Sequence, residues 1–144
     1  MRATMTAALL LAMVLAFGGT ASAQGKTWKD EKTGLTWQVT PTGERFKWEQ
    51  AKAHCSGLSL DGGGWRLPTK EELASLIRGC KDDGCKSFKG PANGCYWPDE
   101  IKGKCKAYWS SSAKGPKGAW FVTFARGDVG SNGVNYDDRV RCVR

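Results

Sequence analysis

Six cysteines constrain the fold of this chain more than any other feature of its sequence. Their number is even, they lie between residues 55 and 142, and none of their spacings is C-x-x-C. With a single histidine, His54, this pattern argues against a zinc site, and we predict no bound metal or cofactor. In an oxidising compartment the same pattern favours three disulfide bonds, whose pairing the count alone leaves open. The cysteines are Cys55, Cys80, Cys85, Cys95, Cys105 and Cys142.

The N-terminal residues indicate an oxidising compartment. Arg2 and an apolar run over residues 7–17 are followed by Ala21-Ser22-Ala23, the pattern of a secretory signal peptide. We therefore predict a signal peptide over residues 1–23, cleaved after Ala23, and one domain over residues 24–144. The apolar run is too short for a transmembrane helix, and no cysteine near the cleavage site offers a lipid anchor. We expect a secreted or periplasmic protein with no transmembrane segment.

The segment Gly64-Trp65-Arg66-Leu67-Pro68-Thr69 marks the start of a helix. Proline disfavours helix at the residue before it and cannot donate a backbone hydrogen bond, so the helix begins after Pro68. Thr69 is a good N-cap, and Glu72, three residues on, completes a capping box. Apolar residues at 73, 76 and 77 follow at helical spacing, and the glycine at 79 is placed to end the helix. Arg66 is expected to pair with a carboxylate or carbonyl inside the domain.

Periodicity also predicts an earlier strand and helix. Residues 34–39 alternate as a strand with apolar side chains on one face, after a polar and loose N-terminal segment. A first helix is predicted over residues 46–55, where Trp48, Ala51 and Cys55 form one apolar stripe.

The C-terminal third is predicted to form strands. Residues 108–111 and 119–124 are strand candidates, and turns are indicated at Gly127-Asp128 and Asn132-Gly133. In the last strand, the side chains at 140 and 142 are expected to face inward, and the arginines at 139 and 141 outward. Two helices followed by such strands predict an α+β fold, in which the helices pack on a small antiparallel sheet.

Residues 79–107 separate the second helix from these strands and have no periodicity. Long irregular segments of this kind are usually functional or disordered, and this one holds four of the cysteines. We predict a local pair, Cys95–Cys105, and either a second local pair, Cys80–Cys85, or a swap among these four. The two remaining cysteines, in the first helix and the last strand, are then left for each other.

Several motifs in a fixed order resemble the Lcl C-terminal domain family, a domain of unknown function named for a bacterial collagen-like adhesin. The resemblance covers nearly the whole of residues 24–144. The motifs are Asp30-x-x-Thr33-Gly34-Leu35-Thr36-Trp37-Gln38, Trp48-x-x-Ala51 with Cys55, Gly64-Trp65-Arg66-Leu67-Pro68-Thr69 with Glu72-Leu73, Tyr108-Trp109-Ser110-Ser111, and Val140-Arg141-Cys142-Val143-Arg144.

The resemblance implies a C-type-lectin-like fold, which is also similar to the fold of the formylglycine-generating-enzyme domain. In the namesake adhesin the domain is associated with the binding of sulfated glycans. Collagen-like repeats are absent here, so trimerisation through a collagen stalk is not expected.

A lysine-bearing part of the irregular segment is the candidate binding surface. The formal net charge is +8 at pH 7, or about +7 once Arg2 leaves with the signal peptide, and basic exported proteins tend to meet acidic partners. Lysines beside an aromatic face suit an anionic polysaccharide or another acidic cell-surface component, and no nucleic acid partner is expected. A merely solvated loop is the competing interpretation, since nearby acids dilute the charge. The candidate ligand-binding residues are Lys81, Lys86, Lys89, Tyr96, Trp97, Lys102, Lys104 and Lys106.

The other chemistry-bearing residues favour structure over catalysis. Nucleophilic catalysis needs a serine or cysteine beside a base, and neither His54 nor the serines at 110–112 have an evident partner. Asp and Asn residues between 128 and 138 are explained by turns, since the usual calcium-lectin triplets are absent. Trp28 and Trp97 are expected to be exposed, and five tryptophans are expected to be structural. These five are Trp37, Trp48, Trp65, Trp109 and Trp120.

From these observations we expect a non-catalytic, adhesin-like binding module for anionic polysaccharide. The alternatives are a structural or protein-interaction domain without a glycan role and, less favoured, an enzyme with the fold of formylglycine-generating enzymes.

Overall fold

The structure is a computed structural model, and it describes residues 26–78 and 95–144. Within these two stretches, short strands outnumber helices, and the predicted α+β class is confirmed. None of the helices there is long and apolar enough to cross a membrane. The elements are β1 (Thr27–Lys29), β2 (Thr36–Gln38), β3 (Arg45–Phe46), α1 (Trp48–Ser56), a 3₁₀ turn (Leu60–Gly62), α2 (Lys70–Ala74), β4 (Ala107–Lys114), β5 (Gly118–Thr123), β6 (Asp128–Gly133) and β7 (Asp138–Arg139).

A five-stranded mixed sheet forms the centre of the fold. Its strand order is β3-β7-β4-β5-β6, and the neighbours are antiparallel except for β4 and β7, which are parallel. The prediction of a wholly antiparallel sheet is therefore wrong at this pair, because β7 enters the sheet between β3 and β4. A separate antiparallel pair, β1-β2, adjoins the chain end, where Val143 bridges both Trp37 and Arg66.

Apolar clusters cover both faces of the five-stranded sheet. The neighbouring β4 residues Tyr108 and Trp109 are each 0% exposed and belong to different clusters. Tyr108 shares its cluster with Trp37 and with residues of α2, whereas Trp109 packs with Trp65 and with residues of α1. Because an aromatic side chain buries about 150–250 Å², these rings supply much of the burial in both clusters.

Burial on both faces overturns one prediction for the last strand. Val140 and Cys142 are buried as predicted, at 3% and 0% exposure. Arg141, predicted to face outward, is also 0% exposed, and Arg139 is half-buried. Alternate residues of a strand point to opposite faces of the sheet, but this alternation does not show which face meets solvent. Here both faces are covered.

The predicted start of α2 is confirmed. The Thr69 hydroxyl accepts a hydrogen bond from the Glu72 N–H at 3.2 Å, and the Glu72 carboxylate accepts one from the Thr69 N–H at 2.9 Å. Arg66 pairs with the same carboxylate through two hydrogen bonds of 2.7 Å, as predicted for an internal partner. The helix ends earlier than predicted, at Ala74, because the backbone tightens to i→i−3 bonds that bring Leu76 into the core. Residue 79 lies outside the described residues.

Two elements differ from the sequence-based assignment. The segment expected to be a loose end contains β1, in which Trp28 pairs with Trp37 of β2. The Asn132-Gly133 turn prediction is wrong, since both residues lie in β6, which pairs with β5 along its whole length. The first helix is close to its prediction: α1 begins at Trp48 and buries Ala51 together with the disulfide-bonded cysteine at 55.

Two of the predicted disulfides are confirmed. Cys55–Cys142 joins α1 to the C-terminal segment with a Cα–Cα distance of 5.4 Å, and Cys95–Cys105 closes a short loop at 5.3 Å. Every cysteine in the described ranges is paired. The predicted partners at 80 and 85 lie outside those ranges.

A buried carboxylate fixes the turn between β1 and β2. Asp30 is 1% exposed, and its side chain accepts hydrogen bonds from the Lys32 N–H, the Thr33 hydroxyl and, at 2.5 Å, the Arg78 guanidinium. Burial alone would raise the pKa of Asp30, but these three donors outweigh it and hold the pKa below its usual value. Asp30 therefore ties the N-terminal strand pair to the chain that follows α2.

Replacing Asp30 with asparagine is expected to lower the free energy of unfolding by about 2 kcal/mol at neutral pH. Because the folded-state pKa is lowered, the ionised carboxylate stabilises the fold above the unfolded-chain pKa of about 4, and this stabilisation is lost as the pH falls through the folded value. Urea unfolding across this pH range measures it, and the gap between variant and wild type should narrow steadily as the pH falls below about 4. Glu31→Gln, whose side chain is 83% exposed, is the control and should change stability by less than about 0.5 kcal/mol. A gap that stays constant with pH would contradict the role of the Asp30 charge.

Candidate functional site

A buried guanidinium joins three distant parts of the chain. Nη1 of Arg141 donates to the carbonyl oxygens of Gln38 and Val39 at 2.6 and 2.7 Å, and Nη2 donates to that of Lys102 at 2.6 Å. Burial lowers the pKa of Arg141 to about 10, which still leaves the group charged at neutral pH. Carbonyl dipoles thus stabilise this cation and hold the three segments together.

Two aromatic rings complete the surroundings of Arg141. Its Cζ lies 4.9 Å from the ring centroid of Trp97 and 5.4 Å from that of Tyr108. Trp97 also packs against Phe124, at 5.2 Å between ring centroids. The prediction that Trp97 is exposed is wrong, because its ring covers the buried cation and is only 4% exposed. Tyr96 is also 4% exposed, so neither ring of this pair is open to a ligand.

A cleft of about 770 Å³ opens beside the residues that Arg141 binds. The carbonyls bonded to Arg141 belong to three of the lining residues, so the buried arginine holds parts of the cleft wall in place. The cleft is lined by Lys26, Thr27, Trp28, Gln38, Val39, Thr40, Leu58, Leu60, Asp99, Glu100 and Lys102.

Backbone hydrogen bonds fix the walls of this cleft. On one side, the Val39 N–H donates to the Lys26 carbonyl at 3.0 Å, and the Lys102 N–H donates to the Val39 carbonyl at the same distance. On the other side, the indole N–H of Trp65 donates to the Leu60 carbonyl at 2.6 Å. The walls are therefore formed before any ligand arrives, as in most small-molecule sites.

The lining combines apolar, charged and hydroxyl-bearing side chains. Leu58 and Leu60 are half-buried, and Trp28 presents a partly exposed indole. Lysines at 26 and 102 and acids at 99 and 100 are exposed, and threonines at 27 and 40 add hydroxyl groups. Such a surface can stack on the apolar face of a sugar ring and hydrogen bond to its hydroxyl groups. The prediction that Trp28 is exposed is only partly right, because its indole is half-buried and packs against the apolar cluster that contains Trp37.

The predicted lysines divide into two groups. Lys102 and Lys104 are exposed on the loop closed by the 95–105 disulfide, Lys106 is exposed just after it, and Lys102 also lines the cleft. The lysines at 81, 86 and 89 lie outside the described residues. Ligand binding by the lysine set stays a prediction.

A family comparison assigns the chain. The model of the Lcl C-terminal domain matches residues 26–144, which is most of the sequence. The chain belongs to the Lcl C-terminal domain family. No curated protein sequence matches it significantly.

In this Lcl domain, neither the leucines that line the cleft nor the arginine that supports it has a signal in the sequence. Leu58 and Leu60 read as ordinary loop residues, and Arg141 sits in an alternating strand pattern that predicts exposure. The positions on either side of this arginine, 140 and 142, are both buried. A strand that is covered on both faces buries successive residues, so its alternation does not predict that the arginine is exposed. In the sequence, Gln38 stands out only as part of a motif, whereas in the structure its carbonyl accepts a hydrogen bond from Arg141.

The described residues of the Lcl domain hold no group of three or more acidic, histidine or cysteine side chains placed to bind a metal ion. The Ser110 hydroxyl donates to the Trp120 carbonyl at 2.7 Å, and the His54 ring stacks on Phe46 at 4.7 Å between centroids. These contacts give both side chains structural roles.

Proposed function

We propose that this chain is an exported, non-catalytic binding module for anionic polysaccharide, including sulfated forms. The observation that carries the proposal is the position of three exposed lysines: Lys102 and Lys104 lie on one short loop, Lys106 lies just after it, and Lys102 lines the cleft. The disulfide that closes this loop and the bond from Arg141 to the Lys102 carbonyl hold the loop in place.

Rigid presentation of the lysines favours binding. At Gly103, with φ of 129°, an added Cβ would lie 3.1 Å from the Tyr108 hydroxyl and 3.3 Å from Nη2 of Arg141, so the loop backbone packs tightly on the core. The Lys102 ammonium also donates to the Asp99 carbonyl. A loop that is already ordered loses less conformational entropy when it binds.

The cleft supplies the uncharged part of the recognition. Trp28 offers the part of its indole that the core and the Arg78 guanidinium, 5.7 Å from its ring centroid, leave exposed, and the polar lining residues offer donors and acceptors for hydroxyl groups. Asp99 and Glu100 can accept hydrogen bonds from sugar hydroxyls, while the lysines take sulfate or carboxylate groups. A polysaccharide contains both kinds of group in each repeating unit.

The C-type-lectin-like fold and the export belong to the same proposal. Family membership supports that fold, as does the disulfide that ties α1 to the chain end beside β2. Two disulfides support an oxidising compartment, which agrees with cleavage of a signal peptide after residue 23 and with a secreted or periplasmic location. The closed disulfides also support a non-catalytic role rather than the cysteine chemistry of formylglycine-generating enzymes.

A protein-interaction domain is the second candidate. Tyr136 and Val129 are 66% and 41% exposed, and exposed large apolar side chains are what a protein partner would cover. The acids that line the cleft also dilute its positive charge.

The triple substitution Lys102→Ala/Lys104→Ala/Lys106→Ala tests the proposed function. Each lost ionic contact is worth about 0.5–1 kcal/mol, so affinity for a heparin-type oligosaccharide at physiological salt should fall about tenfold or more. Isothermal titration calorimetry and elution from a heparin column in a salt gradient both measure this effect.

The matched control is Lys32→Ala/Lys47→Ala/Lys117→Ala, which removes the same charge from exposed positions outside the cleft lining. It should weaken binding by less than about threefold, because its effect comes through screened long-range attraction alone. Equal losses in the two variants would show that net charge, rather than this loop, governs binding. That result, or no binding of any anionic glycan, would favour the protein-interaction alternative.

A further inference from the structure

A second aromatic and basic cluster lies away from the cleft. Trp120, in the middle of β5, is half-buried, and its ring centroid lies 4.7 Å from Nζ of Lys70 and 4.4 Å from Nζ of Lys114. The two lysines come from different elements, α2 and β4. None of the three residues lines the cleft. We call Lys70, Trp120 and Lys114 the Trp120 patch.

Two hydrogen bonds to serine hydroxyls fix the Trp120 patch. The Lys70 N–H donates to the Ser112 hydroxyl at 2.9 Å, so the first residue of α2 is held on β4. Nζ of Lys114 donates to the Ser131 hydroxyl at 3.0 Å, and Ser131 is the direct cross-strand partner of Trp120. The sheet register therefore determines where both ammonium groups sit around the indole.

The charges of the Trp120 patch are poorly neutralised. Lys70 has one acidic neighbour, Glu71, at 3.3 Å, with a side chain that is 72% exposed. In residues 26–78 and 95–144, no carboxylate lies within 4.0 Å of the Lys114 ammonium. Both ammonium groups lie within 4.7 Å of the centroid of one ring, so they repel each other, and an oxyanion bound beside either of them would reduce this repulsion.

We propose that the Trp120 patch is a second binding subsite for a sulfated or carboxylated sugar unit. The lysines bind the anionic group, the serine hydroxyls at 112 and 131 supply further hydrogen bonds, and the exposed part of the indole packs against the sugar ring. This inference rests on the proposed function, since it takes the same ligand class. It adds a second contact point on a different surface, which raises the avidity for a long chain compared with a short one.

Two tryptophans report on the two sites in one titration. Trp28 lines the cleft and Trp120 is the centre of the patch, so their indole N–H signals in a ¹H–¹⁵N spectrum respond separately. Trp28→Phe and Trp120→Phe assign the signals. The probe is a short heparin-derived oligosaccharide at physiological salt, with sodium sulfate as the free-anion comparison.

We expect the Trp120 indole N–H signal to shift as oligosaccharide is added, and the shift to reach saturation. In the Lys70→Ala/Lys114→Ala variant, the oligosaccharide concentration that half-saturates the Trp120 shift should rise about tenfold or more. The Trp28 shift should be unchanged. Lys117→Ala, an exposed lysine just before β5, is the control and should change neither.

The outcomes separate this inference from the proposed function. A shift of Trp28 alone overturns the second subsite and leaves the cleft intact. A shift of Trp120 alone supports the patch and contradicts the cleft, and no shift at either tryptophan overturns both. A Trp120 shift that sodium sulfate reproduces at equal concentration would overturn a sugar subsite, since it shows an adventitious ion only.

Discussion

Arg141→Met is expected to destabilise the folded chain by about 3 kcal/mol or more and to lower Tm by about 10 °C. Methionine fills much of the same space, but it removes the guanidinium donor from the carbonyl oxygens of Gln38, Val39 and Lys102. The Val39 carbonyl keeps the Lys102 N–H as a donor. A buried acceptor without a partner costs about 1–3 kcal/mol, and the other two carbonyls lose their guanidinium partner here. Relief of the burial cost of the guanidinium offsets only part of this loss, because the bonds are short and charge-assisted.

Thermal and urea unfolding measure this effect, and Arg126→Met is the control. Arg126 is 72% exposed in its side chain and pairs only with an exposed carboxylate, so its loss should cost less than about 0.5 kcal/mol. Hydrogen exchange should also accelerate at residues 38–40 and 101–103 in the Arg141 variant, since these segments lose their common anchor. An Arg141→Met protein as stable as wild type would show that the carbonyl bonds contribute no net stability.

Loss of the Cys55–Cys142 disulfide should produce the second large effect. The bond spans 87 residues, and a loop of this size gives about 4.5 kcal/mol of stabilisation in the chain-entropy model. Cys55→Ala/Cys142→Ala should therefore lower the free energy of unfolding by about that amount, as measured by urea denaturation under oxidising conditions. Both cysteines are fully buried, so small cavities add to the cost.

The shorter disulfide is the matched control for this prediction. Cys95–Cys105 spans only 10 residues, for which the same model gives about 2.7 kcal/mol. Cys95→Ala/Cys105→Ala should accordingly cost less stability, but it should weaken glycan binding more, because it loosens the loop that carries the lysines. A larger stability loss from the short loop than from the long one would contradict the entropic account.

Local chemistry explains which elements the sequence predicts well. The start of α2 depends on Thr69 and Glu72, which are three residues apart and bond to each other. The Cys95–Cys105 pair closes a short loop, and such loops close readily because their entropic cost is low. Both features are decided by residues that are neighbours in the chain.

Strands of weak propensity show the limit of such reasoning. The β6 sequence Asp128-Val-Gly-Ser-Asn-Gly contains two glycines and reads as turns, yet it pairs with all of β5. At Gly130, an added Cβ would lie 2.4 Å from the ring of Phe121, so the glycine is needed for this ring to lie across the strand. A partner strand, and not an intrinsic preference, makes β6 a strand.

Part of the candidate site can likewise be predicted from the sequence, and part of it cannot. Lysines on the loop that ends at Cys105 are visible in the sequence, because charge and a nearby cysteine are properties of the chain. The cleft is not visible, since its walls come from residues 26–28, 38–40, 58–60 and 99–102. Trp97 shows why: its segment is irregular, and its burial comes from contacts with Arg141, Tyr108 and Phe124, which lie elsewhere in the chain.

The sequence by itself therefore determined the α+β class, the family and the cap of α2, and it predicted the Cys55–Cys142 and Cys95–Cys105 pairs while leaving a swap within the irregular segment open. These depend on short-range bonds, on periodicity and on the number of cysteines. The tertiary structure decided that both faces of the sheet are covered, that Arg141 is buried, and that a cleft and the Trp120 patch exist. The physical reason is that burial and charge proximity depend on segments far apart in the chain, which only the folded packing brings into contact.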